Sequence, residues 1–486
     1  MPSLRTPKGT VDFHPHDSKL IDSILSICKR HFNLHGARSI DTPTFELLST
    51  LTNKYGEESK LIFELSDQGG DVCALRYDLT VPFARYLAQH RVMKMRRYQI
   101  GKVFRRDQPA ITKGRYREFY QCDFDICGKY VPLLADAEVI KIAVDILKEF
   151  KIGECVVRLN HRRLLEALFM KVGIESEKMN AICSAIDKLD KMKFKEVRSE
   201  MIAKGCTLEQ TREIEELVGI TDLEEVRRRF NEINGAYEQM RDCVEDKRSD
   251  CEITQNQKNS KDSEHEIDEK RDTCSAVHGA VAKESETVRY VQIANKAIDE
   301  IKALMEFLKT FKVHENIRFD FTLARGLDYY TGIVFEGCYT SYPDVGSVVG
   351  GGRYDNLVKR FCKNDVPCVG MSVGVLRIFS ILRERETRAC DTQVYVMCAR
   401  TSCLAERMEL VNELWENGIE AEMNMGTRSD VYEQREYARK SGIRVIVTVG
   451  GDEMSRGGVS MWTEEGEQEV KREDVIAHII RALERR

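Results

Sequence analysis

The sequence contains no run of about 18 or more apolar residues, the length a helix needs to cross a bilayer, although 42% of its 486 residues are hydrophobic. A helical membrane span is therefore not expected. The first residues, MPSLRTPKGTVDFHPHD, have no apolar core of the secretory kind and carry acids early, unlike a transit peptide. That predicts a cytoplasmic protein. None of the 16 cysteines forms a C-x-x-C pair, and Cys122 and Cys127 have no matching Cys/His cluster. Structural zinc and a disulfide framework are both disfavoured, which leaves buried or idle thiols in a reducing compartment. His14 and His16, either side of Pro15, read as surface residues. There is no internal repeat and no G-x-x-x-x-G-K-S/T loop, so any nucleotide chemistry is not of the P-loop kind. Net positive charge is missing too: the formal charge is -5, so any contact with nucleic acid must come from a local patch.

One such patch is present. From Arg91 to Arg117 ten basic residues face a single acid, Asp107. A solvated positive face would look the same by charge alone; the pattern around it is more specific. Residues 18–35 place Leu20, Ile21, Ile24, Leu25, Ile27, Cys28 and Phe32 at helical spacing with Gly36 as the stop, followed by SIDTPTFE as an extended segment. Short extended runs near 61–65, 72–76, 98–104 and 118–126 suit antiparallel strands, with the polar, basic loop DQPAITKGRY between the last two. Helical pattern returns over 135–150 and dominates 161–240.

The segment near 243–285 is polar, charge-rich and without period, which predicts a mobile insertion. A helix over 288–311 then leads to strands at 317–323 and 332–339, the glycine-rich GSVVGGGRYDNLV, an extended PCVGMSVG and the helical VLRIFSILRE. From 392 onward, strands alternate with helices in a compact α/β module of about a hundred residues. At 55.9 kDa the chain is long enough for several cores. The predicted class is α+β with three parts: an antiparallel-sheet domain from 1–160 and 312–388, a mainly helical insertion at 161–311, and a C-terminal α/β domain at 390–486.

An antiparallel sheet bearing arginines, with a basic loop between two strands, offers a way to hold ATP without a P-loop. Guanidinium groups grip phosphates bidentately and stabilise charge developing at an attacked α-phosphate. Arg105, Arg325 and Arg377 are the candidates. Their surroundings resemble the class II aminoacyl-tRNA synthetases, and within them the histidyl-tRNA synthetases of eukaryotic cytosolic type, over nearly the whole chain. SIDTPTFE resembles motif 1, FRRD with GRYREFYQ motif 2, and PCVGMSVGVLRIF motif 3. LARGLDYYTG at 323–332 and GSVVGGGRYDNLV at 346–358 resemble the signatures of the histidine enzymes, RGLDYY being the most specific.

The resemblance implies a class II catalytic domain followed by an anticodon-binding-like domain. The expected activity is ATP-dependent activation of L-histidine, then its transfer to tRNA(His). It implies that Arg105 contacts the α-phosphate and the substrate carboxylate, Arg377 faces the γ-phosphate, Phe119 stacks on adenine, and Arg117 joins the ATP set. Asp107 stands where many class II enzymes carry glutamate near the adenine amino group. Arg325 resembles the family's catalytic arginine, with magnesium expected to accompany ATP and no structural metal. Asp78, Leu79 and Thr80 (the DLT tripeptide) with Gln121 would hold the α-amino end of histidine, and Asp125 with Tyr330, completed by Tyr329, would read the ring. Bacterial relatives carry glutamates at the positions of Asp78 and Asp125. Arg106, Lys113 and Arg115 would meet the tRNA acceptor end, and motif 1, with Pro43, implies a homodimer. Two rivals compete: a synthetase-like sensor of histidine or uncharged tRNA, and a ligase of the same fold adenylating another carboxylate. Retention of Arg105, Arg325 and Arg377 opposes the first, and RGLDYY with DLT opposes the second.

Overall fold

The computed structural model describes residues 4–52, 61–66, 69–190, 192–232, 265–324, 329–385, 392–399, 403–426, 430–450 and 456–484, the side chains of 113, 190 and 265–287 excepted. It divides into two compact units, Met1–Val11 with Ile24–Ile381 and Asp12–Ser23 with Leu382–Arg486. Among the described residues no helix is long and apolar enough to cross a membrane.

The larger unit is built on an eight-stranded sheet ordered β1-β4-β5-β10-β9-β8-β6-β7. Its strands are β1 (Arg38–Ser39), β4 (Met95–Phe104), β5 (Glu118–Cys127), β6 (Cys155–His161), β7 (Ile317–Phe319), β8 (Ile333–Tyr339), β9 (Val349–Arg353) and β10 (Cys368–Gly374). All neighbours are antiparallel except β1 with β4 and β6 with β7. A separate two-stranded sheet pairs β2 (Phe45–Leu47) with β3 (Cys73–Leu75).

Alternation along the strands sorts the two faces of the large sheet. Cys122, Phe124 and Ile126 of β5 point to one face and are fully or almost fully buried. There the ring of Phe32, on α1 (Pro15–Leu34), lies 5.7 Å from Tyr98 and 5.6 Å from Phe124 between centroids. The helix α3 (Leu134–Glu149) contributes ten buried residues, and its Leu147 carbonyl accepts a 2.8 Å hydrogen bond from Tyr339 Oη. The opposite face carries the polar residues of the same strands. Over it stands α2 (Thr80–Gln89), which buries Val81, Phe83, Ala84 and Leu87.

Helices α4 (Arg162–Val172), α5 (Ser176–Ile186), α6 (Phe194–Ala203) and α7 (Leu208–Val218) follow β6. Thr207 and Gln210 close a reciprocal capping box at the start of α7. The helix α8 runs from His265 to Thr310, whereas the sequence pattern predicts helix only from about 288. Extending a helix from a packed end is far easier than nucleating one, and Glu-, Lys- and Ala-rich sequence tolerates extension without an apolar stripe. The earlier part of the expected mobile insertion, 243–264, lies outside the described residues. β6 and α2, absent from the sequence reading, complete the unit. It closes with α9 (Val375–Arg385).

The smaller unit has a five-stranded sheet ordered β12-β11-β13-β14-β15, from β11 (Val394–Cys398), β12 (Ala421–Met423), β13 (Val445–Val449), β14 (Gly458–Thr463) and β15 (Gly466–Lys471). The helices α10 (Leu404–Glu416), α11 (Val431–Ser441) and α12 (Val475–Glu484) flank it. Val394, Val396, Leu410, Leu414, Val445, Val447 and Ile479 share one core, while Tyr395, Met397, Ala438 and Ile446 form another. The sheet is thus covered on both faces, as an α/β pattern requires. β15, GEQEVK with a single apolar side chain, carries no apolar alternation by which a sequence could announce it.

Candidate active site

The polar face of the large sheet reads as rows across its strands. Pairing places Arg97 of β4 opposite Asp125 of β5, Asp125 opposite Gly370 of β10, and Gly370 opposite Gly352 of β9. The next row runs Gln99, Asp123, Ser372, Gly350, Glu336, Arg158. The third is Gly101, Gln121, Gly374. Glycine stands where a neighbour must lean across: a Cβ at Gly370 would lie 1.8 Å from Asp125 Oδ1, and one at Gly101 2.5 Å from Arg76 Nη2.

Above these rows lies a cavity of about 620 Å³ lined by Tyr77, Asp78, Thr80, Arg105, Asp107, Arg115, Phe119, Gln121, Asp125, Tyr329, Tyr330 and Arg377 among others. Eleven of these twelve are residues singled out from the sequence; Tyr77 is not. The structure therefore brings together residues up to 299 positions apart, from 78 to 377. Leu79 is fully buried, so its contribution to the site is through its backbone. Arg117 turns its Nε to the Asp107 carbonyl at 3.0 Å and supports the loop from beneath. Arg106 and Arg115 are exposed, and Lys113 closes a short turn of Ile111–Lys113. Arg325 lies outside the described residues.

Each polar side chain has a local cause for its pose. Asp78 Oδ1 accepts hydrogen bonds from the backbone of Thr80 (3.1 Å) and Val81 (3.0 Å), so it occupies the N-terminus of α2, where a carboxylate is favoured. Arg105 donates from Nε to the Tyr77 carbonyl at 3.2 Å, and its guanidinium lies 4.2 Å from the Tyr77 ring and 5.3 Å from that of Phe119. Two aromatic faces thus hold the cation in one plane. Arg377, on α9, is anchored to Ser347 through the carbonyl and the hydroxyl. Gly114 has φ +66°, and a Cβ there would come within 2.8 Å of the Leu376 carbonyl, so the basic loop can lie against the start of α9 only with glycine. Gln121 donates to Ser372 Oγ at 2.9 Å, while its buried Oε1 has no hydrogen-bond partner among the described residues, leaving an acceptor for a ligand.

The acids at the far end are electrostatically unusual. Asp125 is 2% exposed and Asp123 1%. Burial raises the Asp123 carboxyl to about 7, against the opposing pull of the Arg97 guanidinium. Burial raises Asp125 as well, with Arg97 and a hydrogen bond from Tyr354 opposing it. The Tyr330 phenol is pushed up by burial, with Asp125, Asp78 and Asp123 adding to the rise. Sequence reasoning missed Arg97, Tyr354, Glu336 and Ser372. The available signal was parity: Arg97 shares the sheet face of Gln99 on β4, opposite the acids of β5. The helical segment also contributes Asn180, Ser184 and Asp187 to the cavity wall, which no motif indicates.

Residues 9–272 and 240–378 match the family model described as histidyl-tRNA synthetase, and residues 393–482 match the anticodon binding domain. The chain belongs to the histidyl-tRNA synthetase family. It is 38% identical to the mitochondrial histidine–tRNA ligase of Bos taurus, over 99% of this chain and 88% of that one. It is 39% identical to the cytoplasmic histidine–tRNA ligase of Dictyostelium discoideum, over 95% and 86%. A crystal structure of a Nostoc histidyl-tRNA synthetase shares 26% identity with a TM-score of 0.74, covering 99% of this chain and all of the other. The α+β fold, class II catalytic sheet and C-terminal anticodon-binding domain expected of a histidyl-tRNA synthetase are therefore present. Its relatives include mitochondrial and cytoplasmic forms alike.

Proposed function

We infer that this chain is a histidine–tRNA ligase: it activates L-histidine with ATP to histidyl-adenylate and pyrophosphate, then transfers histidine to the 3′ end of tRNA(His). The observation that carries this reading is one cavity holding arginines at one end and buried acids at the other. Arg105, held between Tyr77 and Phe119, meets the histidine carboxylate and the α-phosphate, neutralising the charge that builds up as one attacks the other. Arg377 receives the γ-phosphate, Phe119 stacks on adenine, and Asp107 with Arg117 completes the nucleotide end. Arg325 supplies a second cation to the reacting phosphate.

At the amino-acid end, Asp78, Leu79, Thr80 and Gln121 take the α-ammonium, and Asp125 with Tyr330 and Tyr329 satisfies the two ring nitrogens. An analogue without those nitrogens would leave buried groups unpaired, a penalty of about 10⁴ to 10⁵ in rate. Magnesium would accompany the ATP phosphates; Asp107 and Glu336, the latter also paired with Arg158 at 3.0 Å, line the same cavity and would offer carboxylate oxygens to the water shell of such a hard cation.

Arg106, Lys113 and Arg115, on the loop between β4 and β5, approach the acceptor end of the tRNA. The working form is a cytoplasmic homodimer joined through motif 1. Exposed Phe45 (54%) and Leu47 (44%) on the small sheet, with Val72 (60%) just before its second strand, support that surface. The test is exchange of pyrophosphate into ATP, with each of the twenty amino acids and no tRNA. Exchange with histidine alone is expected; none from folded protein that binds ATP would leave a sensor of histidine or tRNA.

A further inference from the structure

Arg97 is the largest fully buried side chain among the described residues, with 0% exposure. A buried arginine cannot shed its charge, so the fold must repay its desolvation. Three contacts converge on one nitrogen. Nη2 donates to the Leu79 carbonyl at 3.0 Å, lies 2.8 Å from Asp125 Oδ2, and lies 3.9 Å from Asp123 Oδ2. The guanidinium stacks 4.3 Å from the Phe83 ring, while Nε and Nη1 have no hydrogen-bond partner among the described residues. That one nitrogen therefore joins the turn carrying Asp78 and Thr80 to the carboxylate at the opposite end of the amino-acid pocket.

We propose that Arg97 is a positioning residue for histidine recognition, a buried cation that sets the spacing between the DLT turn and Asp125 and supplies the charge that Asp125 needs to accept from the imidazole. This rests on the assignment of Asp125 to the ring. Facing Asp125 are Arg97 on β4, Asp123 on β5, Asp78 before α2, Tyr330 before β8, Tyr354 after β9 and Cys368 on β10. Arg97 alone among these is a cation. Burial and then the Asp78 carboxylate favour protonation of Asp125, and the charges of Asp123 and Asp125 oppose one another. A protonated Asp125 is a poorer acceptor for a ring N–H.

The experiment is pyrophosphate exchange in the full-length protein from pH 6 to 9, titrating histidine and ATP separately. Arg97→Met should raise the histidine KM about tenfold or more, the effect of one pH unit in carboxylate ionisation. The ATP KM should stay within about twofold, and the acid limb of kcat/KM for histidine should move to higher pH. Because one nitrogen makes every polar contact, Arg97→Lys should recover most of the loss. An unmoved histidine KM and acid limb in folded Arg97→Met would overturn the proposal, as would equal losses for histidine and ATP without rescue by lysine. Should Arg97→Met not fold, Asp123→Asn serves: with one competing acid removed, the limb should move to lower pH, and an unmoved limb would count against the role. Asp125→Asn separates the two failures. If it raises the histidine KM while Arg97→Met does not, only the positioning role falls; if it leaves that KM unchanged, the ring assignment falls and takes this inference with it.

Discussion

At the scale of single residues, the site is set by where side chains are withheld as much as by where they are present. Gly370 lies directly beneath Asp125, and its missing Cβ is the space the carboxylate occupies. Gly370→Ala should displace Asp125 and raise the histidine KM about tenfold or more with the ATP KM little changed. Overpacking a filled site costs about 1–3 kcal/mol, so chemical denaturation should register the strain as well; an alanine variant with native histidine kinetics would show that Asp125 does not need its present pose. A second prediction concerns Asp123. Its carboxyl titrates near 7 in the folded protein because burial disfavours the charged form, above the ordinary value of about 3.9 in an unfolded chain. The folded state therefore binds more protons than the unfolded state between those values. This contribution to stability is fully present below about pH 4 and is lost as pH rises through 7. Asp123→Asn removes the titration, so its denaturation midpoint relative to the parent should climb from pH 5 to 7 and level off above. A difference that stays flat across that range would place the ionisation elsewhere.

At the scale of elements, α2 shows one carboxylate serving two ends. Asp78 receives two backbone N–H groups at the helix start while lining the cavity. Loss of such a cap costs about 1 kcal/mol, whereas loss of a charged partner for an ammonium costs more. Asp78→Ser should keep the stability and lose histidine binding; Asp78→Ala should lose both. If serine restores histidine affinity as well, the charge is not read by substrate. Neither the helix nor its cap was legible in the sequence, because TVPFARYLAQ is short and opens with a β-branched residue before proline. Motif-bearing stretches were legible: GRYREFYQ, PCVGMSVG and the glycine run each combine strand alternation with residues that have no packing purpose. What escaped was pairing. Arg97 stood in a basic run that looked solvated, and only the register of β4 on β5 turns it toward Asp125. Gln99 similarly reaches back to Asp41 and Thr42 of motif 1 at 3.1 Å each, and Arg76 binds the Thr42 carbonyl at 2.7 Å. Such long-range polar ties leave no periodic trace. β15 and the extension of α8 were missed for the converse reason, since neither has an apolar stripe to announce it.

At the scale of the whole molecule, the small sheet leaves a question of assembly. Two strands of three residues each cannot bury a core of their own. Along β2 the sides alternate: Glu46 turns inward at 6% exposure to meet Arg85, while Phe45 and Leu47 turn outward. Val72 joins them on the neighbouring segment, where its carbonyl accepts from Leu48 N at 2.8 Å. Two large apolar side chains, Phe45 and Leu47, thus share an outer surface immediately after Pro43, with exposed Val72 at the end of the same small sheet, and the motif 1 segment behind them is tied through Arg76 and Gln99 to the strand that carries Arg97. A self-complementary pairing of two copies would cover this surface and stiffen the segment that braces β4. Phe45→Asp with Leu47→Asp should therefore shift the protein from dimer to monomer in sedimentation velocity. The monomer should also lose pyrophosphate exchange although the cavity is formed within one chain, because motif 1 is no longer held against β4. A double variant that still sediments as a dimer would move the interface to another face. A fully active monomer would show instead that the motif 1 segment needs no partner to brace the sheet.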